Sequence, residues 1–218
     1  MDLLERPPTV APHISAPFAS VDRLVAEMAM GRPVILHDGA ARQNRGDLVL
    51  PAQCVTAEWI NFMAREARGL ICLALTRERS VDLQLGIQSR DGVRNARRGV
   101  FTVSIEAREG VTTGISAHDR AHTIAVAADI ASGACDLVSP GHVFPVVARD
   151  GGMLERAGHT EAAVALARFA GFRPMAVTAA ILNDHGNVSS VEQLAIFARR
   201  HGIAMGRIAD LIEYSRGR

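Results

Sequence analysis

From residue 20 onward, short aliphatic runs alternate with stretches of helical pattern, and this alternation limits the fold more than any other feature. VIL (34–36), LICLAL (70–75), VFTVSIEA (100–107), HVFPVVA (142–148), MAVTAAIL (175–182) and IAM (203–205) read as buried or alternating strands. Ser20 and Asp22 open a helix through Met30, which Gly31-Arg32-Pro33 breaks. Thr56, with Glu58 and Trp59 behind it, opens a second helix to about Arg68, and Gly69 ends it. Ser116 and Asp119 resemble a capping box before an alanine-rich helix. Further helices fall near 160–170, 190–200 and 206–215. No internal repeat and no Gly/Ser linker divides the pattern, so residues 20–218 form one α/β or α+β domain. Residues 1–19 hold four of the nine prolines and read as a flexible arm. GIQSRDGVRNARRG (86–99) is too polar and basic for an element and reads as a mobile loop.

Composition narrows the function. At 48% hydrophobic the chain can bury a full core, and with only 4% aromatics that core must be Ala, Val, Leu and Ile. A net charge of +1 lacks the basic excess of a nucleic-acid protein. No apolar run approaches the roughly 20 residues of a membrane span, and the N-terminus lacks a basic-then-apolar signal. Cys54, Cys72 and Cys135, odd in number and scattered, point to reduced thiols in the cytoplasm.

Four polar segments could carry chemistry. RQNRGDLVLPA (42–52) is a polar loop running into a buried segment, with Asp47 its only carboxylate. In GGMLERAGHTEA (151–162), Arg156, Gly158, His159 and Thr160 lead into an apolar helix. A helix N-terminus with an arginine beside it suits a phosphate; the alternative is Thr160 as a plain cap and His159 as a satisfied polar group. SPGHVFPV (139–146) sets His142 at the mouth of a strand, as an acid–base candidate or a turn cap. In EGVTTGISAHDRAHTI (109–124), Thr113 and its neighbours meet a ligand or simply make a turn.

Taken in order and spacing, RQNRGD, GLICLAL, FTVSIEAREGVTTGISAHDRAHTI, SPGHVFPV and ERAGHTEA resemble the 3,4-dihydroxy-2-butanone-4-phosphate synthases of riboflavin biosynthesis, from about residue 20 to 215. The resemblance implies a single-domain α+β fold, a mixed sheet flanked by helices, and a homodimer with active sites at the subunit interface. It implies a lyase that converts D-ribulose 5-phosphate to the four-carbon ketone phosphate and formate, using Mg²⁺ or Mn²⁺ as a Lewis acid. At 218 residues it also implies a chain without a fused GTP cyclohydrolase domain. By the same resemblance His159 is the metal-ligand histidine and His142 the activity-bearing one. Arg156, Gly158, Thr160 and Thr113 are substrate-binding, while Arg42 and Asp47 meet the sugar, Asp47 also serving catalysis.

The sequence departs from the family pattern where charge matters. The family loop R-E-N-E-G-D is here Arg42-Gln43-Asn44-Arg45-Gly46-Asp47, so the metal-binding glutamate has become Gln43 and the second glutamate Arg45. The acidic stretch before it has become HDGAA, and the late-strand catalytic glutamate has become Ala180. Three functions stay open: a divergent lyase on a sugar phosphate or related metabolite, a working riboflavin-pathway synthase, and a non-catalytic ligand-binding paralogue. No nucleic-acid or membrane partner is expected.

Overall fold

The computed structural model describes residues 18–39, 43–88 and 100–217. Ser20 accepts the Arg23 amide and starts α1 (Val21–Ala29), and Gly31, at φ 68°, turns the chain toward β1 (Val34–His37). β2 (Gly46–Pro51) is buried along its whole length. Thr56 caps α2 (Ala57–Phe62), which continues as a π turn over Met63–Ala67.

The helix does not end at Gly69, the end expected from the sequence. Arg68, in the left-handed conformation at φ 67°, ends that helix. Gly69 lies inside β3 (Arg68–Leu75), where a Cβ would stand 2.2 Å from the Ala180 carbonyl oxygen. The glycine is there to let two backbones meet.

Thr76 then caps α3 (Arg77–Asp82), an element the sequence reading lacks. The strand expected over 100–107 is two, β4 (Val100–Phe101) and β5 (Ile105–Ala107). Both pair with β6 (Leu137–Val147), but at different stretches of it, so the chain has to break between them. β6 itself begins ahead of the expected 142, taking Pro140 and Gly141 into the strand. The remaining elements are α4 (Ala117–Ala128), α5 (Gly152–Glu155), α6 (His159–Phe169), β7 (Ala176–Ile181), α7 (Val191–His201), β8 (Ala204–Arg207) and α8 (Ile208–Arg216). Phe18 and Ala19, read as part of the arm, join the fold: the Ala19 amide donates to the Met205 carbonyl at 2.7 Å, and Phe18 stacks on His37. Of the basic stretch 86–99, residues 89–99 lie outside the described residues, and Ile87 bridges to Thr102.

The strands form one mixed sheet in the order β4-β6-β3-β7-β2-β1-β8, with β5 on β6 off this path. Alternation along the strands sorts their side chains into two cores. Ile35, Leu48, Leu50, Leu73, Val177 and Ile181 pack with α2, α4 and α7. Val34, Leu36, Val49, Ala74 and Ala176 pack with α1, α6 and α8. The result is an α+β domain with helices on both faces of the sheet. None of the largest fully buried side chains is aromatic, as the composition required.

The β3–β7 contact supplies a direct test. Gly69→Ala should lower unfolding free energy by about 1–3 kcal/mol or more, because backbone rather than a flexible side chain must move. Urea denaturation of wild type and variant measures it.

Candidate active site

Asp47 on β2 stands directly opposite Ala180 on β7 in the antiparallel ladder. Opposed residues point to the same side of a sheet, with Cβ atoms about 4.5–5.5 Å apart. That side is the one covered by α6, since Val49, two residues along β2, packs in the α1/α6/α8 core. Cys72 follows from the same registers: it pairs with Thr178 on β7 and Phe144 on β6, and alternates with Ala74 of that core.

The loop between β1 and β2 is tied to Asp38. Its carboxylate accepts the Arg45 amide at 2.7 Å and the Gln43 amide at 3.5 Å, and its own amide donates to the Arg45 carbonyl at 3.1 Å. Gln43 is exposed, and Arg42 lies outside the described residues. The Arg45 guanidinium folds back over Asp47: Nε lies 2.9 Å from Oδ1 and Nη2 lies 3.2 Å from Oδ2. His37 accompanies them, its Nε2 3.1 Å from Asn44 Oδ1. Burial draws the His37 pKa down, and the Asn44 hydrogen bond and the Asp38 charge only partly oppose it.

His159, the first residue of α6, reaches this cluster from above the sheet. Its Nε2 lies 3.1 Å from the Leu36 carbonyl and 3.2 Å from the Arg45 carbonyl. Carbonyl oxygens only accept, so Nε2 carries the hydrogen and Nδ1 the lone pair. That lone pair faces Arg45 Nη2 at 3.4 Å. The ring is 7% exposed, and both nitrogens already have partners within the chain.

Around the start of α6, Gly158 is the N-cap and offers no side chain, so Thr160 stands in the first turn and does not cap it. A Cβ on Gly158 would sit 2.4 Å from Arg156 Nη1 and 2.6 Å from Glu161 Oε2. Glu161, 2% exposed, binds Arg156 with one oxygen and accepts the Arg149 amide with the other at 3.0 Å. Arg156 is thus held against the first turn of α6 by an ion pair.

His142 and Thr113 belong to a second cluster. His142 Nδ1 lies 2.9 Å from Glu106 Oε2 on β5. Gly114 packs so closely that a Cβ would overlap the Glu106 carboxylate. Asp119 organises the loop before α4, accepting from the Thr112 hydroxyl and from the Thr113 and Gly114 amides. The Thr113 amide is therefore spent on the loop, while its side chain is exposed. Sequence reasoning missed Glu106 and Glu161, because an acid inside a strand or a helix's first turn carries no local mark of its partner. A cavity of about 200 Å³ lined by Arg68, Asn183, Gln193 and Arg200 opens beside α7. Its wall includes Ile181, which packs in the other core, so it lies apart from Asp47 and His159.

The sequence of this site also matches a known family. The model for 3,4-dihydroxy-2-butanone 4-phosphate synthase covers residues 22–214. The chain belongs to that family. It is 51% identical over 196 residues to the 3,4-dihydroxy-2-butanone 4-phosphate synthase of Pseudomonas aeruginosa, covering 89% of this chain and 53% of that one. To the Photobacterium phosphoreum protein of the same name it is 46% identical, covering 90% of this chain and 54% of the relative. The chain therefore spans about half the length of these relatives. Among solved structures it resembles RibBX, a two-domain 3,4-dihydroxy-2-butanone 4-phosphate synthase from A. baumannii, at TM-score 0.86 and 46% identity over 90% of this chain and 57% of that one. It also resembles a 3,4-dihydroxy-2-butanone 4-phosphate synthase in complex with two magnesium ions, at TM-score 0.87 and 36% identity over 92% and 98% of the two chains.

The residues present here do not fit such an ion. Asp47 is paired with Arg45, Asp38 with loop amides, and the His159 lone pair with Arg45. Among the described residues, no group of three or more His, Cys, Asp or Glu could hold a metal.

Two outcomes test this geometry. Burial, with the Asp47 charge adding to it, pushes the Cys72 thiol up to about 12, whereas Cys135 is exposed. Iodoacetamide at pH 8 should modify Cys135 and spare Cys72, read by peptide mass spectrometry, since only the thiolate reacts. Glu161→Ala should cost about 3–5 kcal/mol in thermal or urea unfolding, because it leaves the nearly buried Arg156 without its counter-charge.

Proposed function

We propose that the chain is a divergent lyase of its family, acting on a sugar phosphate or a related phosphorylated metabolite. On this reading the family reaction, D-ribulose 5-phosphate to 3,4-dihydroxy-2-butanone 4-phosphate plus formate, runs far below an ordinary synthase rate. The observation that carries the proposal is Ala180 opposite Asp47. A methyl group stands where a second carboxylate would share the sheet face, and it cannot take or return a proton. One general acid or base is commonly worth about 10²–10⁴-fold.

The neighbouring groups do not make up the loss. The Asp47 carboxylate is engaged by a guanidinium, and His159 is locked between two backbone carbonyls and the same arginine. His142, partly exposed and paired with Glu106, keeps the means to move a proton. Asp47 orients the sugar hydroxyls through Arg45 in this reading, and His142 serves as acid or base.

Ligand binding has better support than catalysis. The first turn of α6 has a glycine N-cap and no side-chain cap, a setting that favours an anion at the positive end of the helix dipole. Arg156 and Thr160 would contact that phosphate. A homodimer with interfacial sites accords with Ile115 and Val138, apolar and exposed, the one next to Gly114 that packs on Glu106 and the other paired with Glu106. A cytoplasmic location accords with three free cysteines.

A working synthase is the second reading, favoured by the 51% identity to a protein of that name. Formate release from ribulose 5-phosphate with Mg²⁺ separates the two. The wild-type chain should give a rate near background. Gln43→Glu, Arg45→Glu and Ala180→Glu together should recover far more than any one of them, since groups acting as a unit are non-additive. Formate release by wild type at the rate of an intact synthase would return the chain to riboflavin biosynthesis.

A further inference from the structure

We infer that the Arg45 guanidinium is the resident cation of this site: it occupies the coordination positions a divalent ion would need, and the site binds its ligand without one. The contacts that support this are all within the chain. Two oxygens of Asp47 face Nε and Nη2 of Arg45, and the single ring lone pair of His159 faces Nη2. A metal would need that same carboxylate and that same lone pair. Turning the His159 ring over would not free another nitrogen, because whichever atom faces the Leu36 and Arg45 carbonyls has to carry a hydrogen.

Arg45 is also anchored at its backbone. Its amide donates to Asp38, and its carbonyl accepts from the Asp38 amide and from His159. The next residue, Gly46, is packed so closely that a Cβ would stand 2.5 Å from Leu194 Cδ1. Arg45 is therefore a fixture at the edge of β2 and not a passing occupant of a loop.

Charge leads to the same conclusion. Asp38 and Asp47 bring two negative charges and Arg45 one positive. Gln43 and Ala180 add no anion. A divalent ion would be placed beside a fixed cation with too few carboxylates to balance both. Without an ion these three charges sum to −1, so any contact with a phosphorylated ligand would come from the Arg45 guanidinium itself and not from the overall charge of the cluster.

The inference rests on the proposed phosphorylated ligand only in that last point, so the experiment uses the metal alone. Free Mn²⁺ is followed by electron paramagnetic resonance during titration with wild type, Arg45→Gln, and Gln43→Glu combined with Arg45→Glu. Wild type should leave the free-ion signal unchanged. The double variant should bind Mn²⁺ at least about 10–100-fold more tightly, the scale on which groups around a metal site act. Arg45→Gln, which removes the cation but adds no ligand, should fall between them.

A second measurement does not depend on any variant folding. Long-range ¹H–¹⁵N spectra of wild-type protein labelled at histidine should show His159 as the Nε2–H tautomer, and its ring signals should persist when Mn²⁺ is added. Loss of those signals at low Mn²⁺, or wild-type binding as tight as the double variant's, overturns the inference. So does a double variant that folds and gains nothing. None of these results depends on formate production, so the inference and the proposed function can fail separately.

Discussion

The ladder between β2 and β7 is the constraint on which the rest of the structure depends. β2 is buried on both faces over its whole length, and in the sheet it lies between β7 and β1. A strand covered on both sides has its register fixed strongly, because a one-residue slip would send Leu48 and Leu50 to the α6 side and Val49 to the other. The same register carries Asp47 opposite Ala180 and leaves Arg45 just beyond the strand end. Gly69 extends it to β3, where only a residue without a side chain lets the next strand approach Ala180. The polar cluster is thus set by apolar packing several residues away.

On that frame, electrostatics decides what the site can hold. Asp47 is 4% exposed and would be costly without a partner. A metal ion and an arginine are alternative ways of meeting that demand, and here the arginine is covalently present and geometrically placed. The same side chain then uses the remaining lone pair of His159. Arg45 therefore sets both the charge of the site and the availability of its histidine. Ala180, opposite Asp47, brings no further carboxylate to that face of the sheet.

Much of this was legible in order but not in contact. The six aliphatic runs expected as strands all lie in or on the sheet, and Ser20, Thr56 and Ser116 cap the helices they were expected to open. Local capping and strand alternation depend on neighbours within a few residues, so a linear pattern exposes them. The helix end at Arg68 misled because a left-handed arginine imitates what a following glycine usually does. The split of 100–107 into β4 and β5 was hidden because its cause lies in β6, more than thirty residues on. Glu106 and Glu161 escaped for the same reason: the partners that make them matter, His142 for one and Arg149 with Arg156 for the other, are brought to them by folding.

The sequence by itself determined a single α/β or α+β domain, the aliphatic core, the family, and the uncharged or cationic side chains at Gln43, Arg45 and Ala180. These follow from residue types and short-range spacing. Only the tertiary structure decided that Arg45 bonds both Asp47 and His159, that Arg156 is held by Glu161, and that His142 sits on Glu106. Hydrogen bonds act over about 3 Å, and residues 114 positions apart come within that reach only after the sheet and α6 have packed.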